Sequence, residues 1–190
     1  MTLRVRDYAH VNRSVLLAAE GEASGILAQA GVIARWTDCP TLPGDLANYP
    51  NCQPPWQVND YVMNILPDSM AALMGKSEDA LGLATKCAMG PSCTASVFYG
   101  RVSNLAGGDS APADVLLARA MAHEIGHLLL GANSHSPTGI MRGHWSAHEF
   151  RLNARLDMLF TAEQSRRMRT RLSEREQLSL AKARVAEVDQ

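Results

Sequence analysis

Neither sign of charge is in surplus in this sequence: 18 Lys and Arg face 19 Asp and Glu, a formal net charge of −1 over 190 residues. No overall field therefore favours nucleic acid or an anionic membrane surface as the main partner. Long apolar runs are missing too, which excludes a helical membrane span, and the opening MTLRVRDYAHV lacks the apolar core of a secretory signal. Internal repeats, low-complexity tracts and a D-x-D-x-D-G calcium loop are absent. So are paired C-x-x-C clusters, the usual source of a structural zinc site. The four cysteines present, Cys39, Cys52, Cys87 and Cys93, lie in Pro/Gly-rich stretches and read as two disulfides. Three connectivities are open, and proximity favours Cys39 with Cys52 and Cys87 with Cys93. Disulfides imply an oxidising compartment, so the expected location is secreted or periplasmic.

A hydrophobic content of 46% over this length suits one domain with its own core. TLRVRDYA alternates at Leu3 and Val5 and reads as a strand. Ser14 can cap the helix that follows, Gly31 ends it, and VIARW reads as the next strand. Residues 38 to 57 form a long irregular loop suited to a disulfide clamp. DYVMNIL is then a strand, DSMAALMG a short helical turn, and LGLAT and TASVFYGRV two strands joined by KCAMGPSC. Pro112 opens ADVLLARAMAHEIGHLLL, a helix without a breaker until Gly131. Ser146 with Glu149, and Thr161 with Gln164, fit capping boxes for two further helices, AHEFRLNARLDMLF and AEQSRRMRTRLSEREQLSLAKA.

The chemistry sits in AMAHEIGHLLLGANSHSPTGIM, residues 120 to 141. Helix positions four apart differ by about 40° in direction, so His123 and His127 leave one face together and can grip one ion. Glu124 points about 60° round from His127, within reach of a water on that ion but not an obvious ligand. A hydrolytic zinc needs a third protein ligand and an open position. Gly131, free to adopt positive φ, can turn the chain back so that His135 faces the pair. Glu149 is the rival third ligand, although the Ser146 capping box uses it locally.

At these residues the chain resembles the metzincin zinc peptidases, whose signature is H-E-x-x-H-x-x-G-x-x-H followed by a Met-turn. Here the glycine comes one residue late and the third histidine two residues late, and Met141 closes a Thr-Gly-Ile-Met turn. The general likeness is to a small bacterial metzincin-like protease. It implies an α+β zincin fold: a twisted mixed sheet with two long helices in an upper subdomain, residues 1–131, and a mainly helical lower subdomain, residues 132–190, of a single catalytic domain. It further implies His123, His127 and His135 on one Zn2+, Glu124 as catalytic base and Met141 as a packing floor under the site. The same resemblance implies a substrate strand along residues 81 to 85, including Leu83 and Ala84. Some metzincins place a tyrosine after the Met-turn, but all four tyrosines here precede Met141. Arg142 and His144 are the candidates for that charge stabilisation, while His10 and His148 are assigned nothing.

The expected function is a zinc-dependent endopeptidase acting on peptides or proteins. Water on the metal attacks the scissile carbonyl as Glu124 takes its proton and later passes it to the leaving amine. The alternatives are a catalytically silent zincin-fold binding protein, which would have no need of Glu124, and a gluzincin-type peptidase using Glu149. The basic run RRMRTR at 166 to 171 is followed by SEREQ, which reads as a solvated, salt-bridged helix and not a nucleic-acid site. A thin apolar stripe at Met168, Leu172 and Leu178 is expected to pack on its own domain, leaving a monomer as the default.

Overall fold

The computed structural model describes every residue except 54, 78, 86–92, 108–109, 146–157 and 189–190, and leaves aside the side chains of 182 and 185–188. Its elements run β1 (Thr2–Asp7), α1 (Arg13–Gln29), β2 (Arg35–Cys39), β3 (Asp60–Leu66), α2 (Asp68–Leu73), β4 (Gly82–Ala84), β5 (Thr94–Phe98), α3 (Tyr99–Leu105), α4 (Ala113–Leu130) and α5 (Ala162–Val188). Two 3₁₀ turns, Pro43–Asn48 and Pro50–Cys52, punctuate the loop after β2. The five strands form one sheet in the order β2-β1-β3-β5-β4. Among the described residues three of the pairings are parallel, and only the short edge strand β4 runs antiparallel to its neighbour. The sheet is mixed, as the sequence suggested, but mostly parallel with helices packed on it.

Strand alternation decides which face the long helices take, because successive side chains leave a sheet on opposite sides. Leu3, Val5, Tyr61, Met63, Ile65, Ala95 and Val97 all enter one buried cluster with the apolar residues of α1 and α4. Residues of the alternate register carry the ion pair Arg4–Asp60, buried at 2.7 Å, with the Arg4 guanidinium over the Trp56 ring. Farther along that register Phe98 packs with Leu66 and with Ala71 of α2.

The structure departs from the sequence expectation at three places. Ser14 is not the cap of α1: Asn12 is, its side chain accepting from the Ser14 N–H at 2.9 Å. The strand expected at VIARW begins only at Arg35, because Val32 is spent in closing α1. Its N–H donates to Leu27 O while that of Gly31, at φ 75°, donates to Ala28 O, a pair of bonds that ends helices and needs a glycine at the turn. TASVFYGRV is a strand only to Phe98 and continues as α3. Past Phe98 tertiary contact overrides strand propensity: a side chain at position 100 would meet Asp68 Cβ at 2.7 Å, and Arg101 Nε donates to Asp68 Oδ1 at 2.8 Å.

The capping box before α5 forms as read. Thr161 N–H donates to Gln164 Oε1 at 2.9 Å, and Gln164 N–H returns to Thr161 Oγ1 at 3.2 Å. Helix α5 then closes the C-terminal ends of both long helices, with Arg169 Nη1 on Ala30 O at 2.7 Å and Arg167 Nη2 on Leu130 O at 3.3 Å. Met168 is fully buried in the main core, and Leu172 packs against it while Leu178 is exposed. Cys39 and Cys52 form a disulfide that clamps the irregular loop to the end of β2. Cys93 is also disulfide-bonded, whereas Cys87 and the connection KCAMGPSC up to Ser92 lie outside the described residues. The expected helix AHEFRLNARLDMLF lies outside them as far as Asp157. Among the described residues no helix is long and apolar enough to cross a membrane.

Candidate metal centre

Helix α4 is buried over most of its length, consistent with its Ala/Leu-rich run and Asp114 in the first turn. It stops at Gly131, whose φ of 98° and ψ of 170° suit a glycine and send the chain back along the helix. The return is fixed by Ser134, whose Oγ donates to Gly131 O at 2.7 Å. His135 thereby comes to lie beside α4, its ring centroid 4.7 Å from that of His127 and 5.4 Å from that of His123. One ligand atom from each histidine falls within 4.8 Å of the others. Nε2 of His127 is 3.0 Å from Nε2 of both His123 and His135.

Protonation follows from what surrounds each ring. Nδ1 of His123 lies 2.7 Å from the carbonyl oxygen of Ile140, which can only accept, so Nδ1 carries the hydrogen. Ser134 spends its own proton on Gly131 O and therefore accepts from Nδ1 of His127 at 3.0 Å. Both Nε2 atoms are thus bare lone pairs 3.0 Å apart, an arrangement with no hydrogen between them that a cation would satisfy. Burial pushes the His123 imidazole down to about 4, against the Ile140 hydrogen bond, and lowers that of His127 as well. Neutral imidazoles are the form a metal requires. The donor set therefore fits a nitrogen-loving divalent ion.

Glu124 stands next to this pair and is 6% exposed, its Oε2 buried without a hydrogen-bond partner. Burial raises its carboxyl to about 8, with Lys76 pulling slightly the other way. A cation held by the neighbouring imidazoles would act in the same sense as Lys76 and favour the carboxylate.

Three glycines that sequence reasoning passed over shape the surroundings. A Cβ on Gly82 would lie 2.5 Å from Ser96 O and 2.8 Å from both Cγ and Oε1 of Glu124, so β4 can press on Glu124 only because position 82 is bare. A Cβ on Gly126 would lie 2.3 Å from Met141 Sδ and 2.8 Å from Phe160 Cε1; the fully buried Met141 fills that notch beneath α4. A Cβ on Gly143 would lie 3.0 Å from His135 Nδ1. Signals existed for two of them, since glycine inside a strand marks close backbone approach and glycine inside a helix costs about 1 kcal/mol relative to alanine without a packing reason.

The site opens into a cleft of about 940 Å³ whose wall is β4 on one side and Arg142, His144 and Trp145 on another. Trp145 stands edge-on to His123, with ring centroids 5.4 Å apart. In the β4–β5 ladder the bonds Phe98 N–H to Leu81 O and Thr85 N–H to Thr94 O fix which residues face β5. Alternation then turns the backbone of Leu83 toward β5 and those of Gly82 and Ala84 toward the open edge. Of the two positions named from the sequence, Ala84 presents its backbone to the cleft side and Leu83 does not. Glu149 and His148 lie outside the described residues. His10 takes a left-handed turn at φ 54° and does not line the cleft.

The fold is similar to that of archaemetzincin from Methanopyrus kandleri, with a TM-score of 0.55 over 91% of this chain and 96% of that one at 14% sequence identity. At that identity the likeness is one of fold. No protein-family model and no curated protein sequence matches the chain.

Proposed function

We propose that this chain is a zinc-dependent endopeptidase, with His123, His127 and His135 as ligands of one Zn2+ and Glu124 as general base. The observation that carries the reading is the convergence of three imidazole nitrogens, two of them lone pairs by their outer hydrogen bonds, beside a buried carboxyl oxygen of Glu124 without a partner. Bound zinc supplies Lewis acidity, polarising a carbonyl and making water acidic near neutral pH.

The remaining work falls to the chain itself. Ile140 O and Ser134 Oγ orient His123 and His127 and keep their inner nitrogens bare. Glu124 accepts a proton from the attacking water at Oε2 and passes it to the leaving amine, which explains a carboxylate kept dry beside the ligands. An extended peptide lies along β4 and pairs with the outward N–H and C=O groups of Gly82 and Ala84. Met141 is the floor of the site, supporting α4 at Gly126, and Arg142 and His144 face the charge that develops on the substrate carbonyl. The Cys39–Cys52 disulfide supports an oxidising compartment, secreted or periplasmic.

Metal analysis of the purified chain, run beside a peptide-library cleavage assay, tests the reading. The parent is expected to hold one zinc and cleave, His135→Ala to lose the metal, and Glu124→Gln to keep it while turnover falls by about 10²–10⁴. An active Gln variant removes Glu124 from its role. Zinc lost with Glu149→Ala instead moves the third ligand there, and a parent that binds no zinc overturns the whole reading.

A further inference from the structure

A second cavity, of about 810 Å³, continues the cleft past the end of the edge strand: Ala84, His127 and Ala132 line both. Its far wall is α5, which sets Arg166, Arg167 and Arg171 into it. Most arginines of this helix are committed to other groups. Arg166 pairs with Glu163, Arg167 and Arg169 cap the C-terminal ends of α4 and α1, and Arg175 donates to Val58 O. Arg171 has neither a hydrogen bond nor an ion pair among the described residues, yet it is half-buried in the cavity wall. A guanidinium that lines a cavity and is committed to no group of the protein is free to bind there, and a planar carboxylate satisfies its fork of donors better than any neutral group. Glu174 also lines the cavity but is exposed and makes no ion pair with Arg171, so the inner wall stays positive.

Resting on the peptidase reading above, we infer that this cavity is a substrate subsite for a carboxylate, with Arg171 as the residue that selects it. A peptide paired with Gly82 and Ala84 runs directly toward the cavity at Ala84 and Thr85, so the carboxylate enters as an acidic side chain a few residues from the scissile bond or as the substrate's own C-terminus. The three arginines against two glutamates, one of which is neutralised by Arg166, leave the cavity selective by charge and not by shape.

The test maps cleavage of a randomised synthetic peptide library, prepared with free and with amidated C-termini, by the zinc-loaded parent and by Arg171→Gln, Arg171→Lys and Arg171→Glu. The expected result is a roughly tenfold preference for Asp or Glu over Asn or Gln at one fixed position, shrinking as salt rises. Arg171→Gln should abolish that preference, Arg171→Lys should retain part of it and Arg171→Glu should turn it toward Lys and Arg, while neutral peptides are cut at the parent rate. Dependence on a free C-terminus in place of an acidic side chain would identify the terminal carboxylate as the occupant. A cleaving parent with no acidic preference, or one whose preference survives in Arg171 variants that melt with the parent, overturns this inference and leaves the peptidase reading standing. A parent that cleaves nothing overturns both.

Discussion

Replacing Gly82 by alanine sets a small gain against a larger loss. Alanine is favoured over glycine in a strand by about 0.5–1 kcal/mol, because glycine loses more backbone freedom on folding. Against this, the new Cβ would sit 2.5 Å from Ser96 O and 2.8 Å from Glu124 Cγ and Oε1. The carbonyl belongs to β5, in the interior of the sheet, and cannot retreat without disturbing the pairing with β4 or β3. Relief must come from β4 peeling outward or from Glu124 rotating within a pocket where it is 6% exposed. Overpacking costs about 1–3 kcal/mol, and a backbone carbonyl only 2.5 Å away puts this case in the upper half of that range, leaving a net loss near 1–2 kcal/mol. For a chain of this size that corresponds to a fall in melting temperature of roughly 2–8 °C. Displacing the carboxylate by as much as an ångström should also cut peptide turnover by up to about 10²-fold, while zinc content is unchanged because the clash spares the histidines. Thermal melts, metal analysis and turnover on one preparation read the three effects separately. The double variant Gly82→Ala with Glu124→Ala should recover part of the lost stability, since two of the three close contacts are to Glu124. A Gly82→Ala protein that melts with the parent and cleaves at the parent rate would refute the claim that the bare edge strand positions the base.

Two other perturbations probe the supports of the site and of the fold. Ser134→Ala removes the acceptor that orients His127 and leaves Nδ1 with Gly131 O at 3.3 Å, so zinc affinity measured by chelator competition should fall about tenfold, the low end for an orienting partner; unchanged affinity would assign the orientation to the glycine carbonyl alone. Glu20, buried in α1 with Asp38 near it and Arg13 offsetting, has its carboxyl raised to about 7 by burial. A folded value above the unfolded one means that the fold binds the extra proton, so this contribution to stability is complete below about pH 4.5 and lost as pH climbs through 7. Glu20→Gln should therefore match the parent near pH 4 and exceed it by about 1–2 kcal/mol at pH 8, after allowance for solvent screening, in urea unfolding curves. A stability difference that does not vary with pH would exclude this linkage.

What the sequence disclosed was local: the unbroken run of α4, the capping box at Thr161 and Gln164, the spacing of His123 and His127, and the proximity of Cys39 to Cys52. Each depends on residues within a turn or a short loop of one another. What stayed hidden depends on which distant segments meet. Nothing near Phe98 announces that the chain must turn into α3 there; the reason is Asp68, lying against Gly100 and bonded to Arg101. The notch at Gly126 has meaning only once Met141 and Phe160 arrive beneath it. The late third histidine is the most instructive case, because a loop longer than that of the signature it resembles looks, in sequence, like a weakened match. In the fold the residue just before His135 is Ser134, which ties the loop to the end of α4 through Gly131 O and at the same time faces Nδ1 of His127. The longer return thus brings its own closure and its own orienting group, so the spacing that departs from the signature is compatible with a rigid three-histidine cluster.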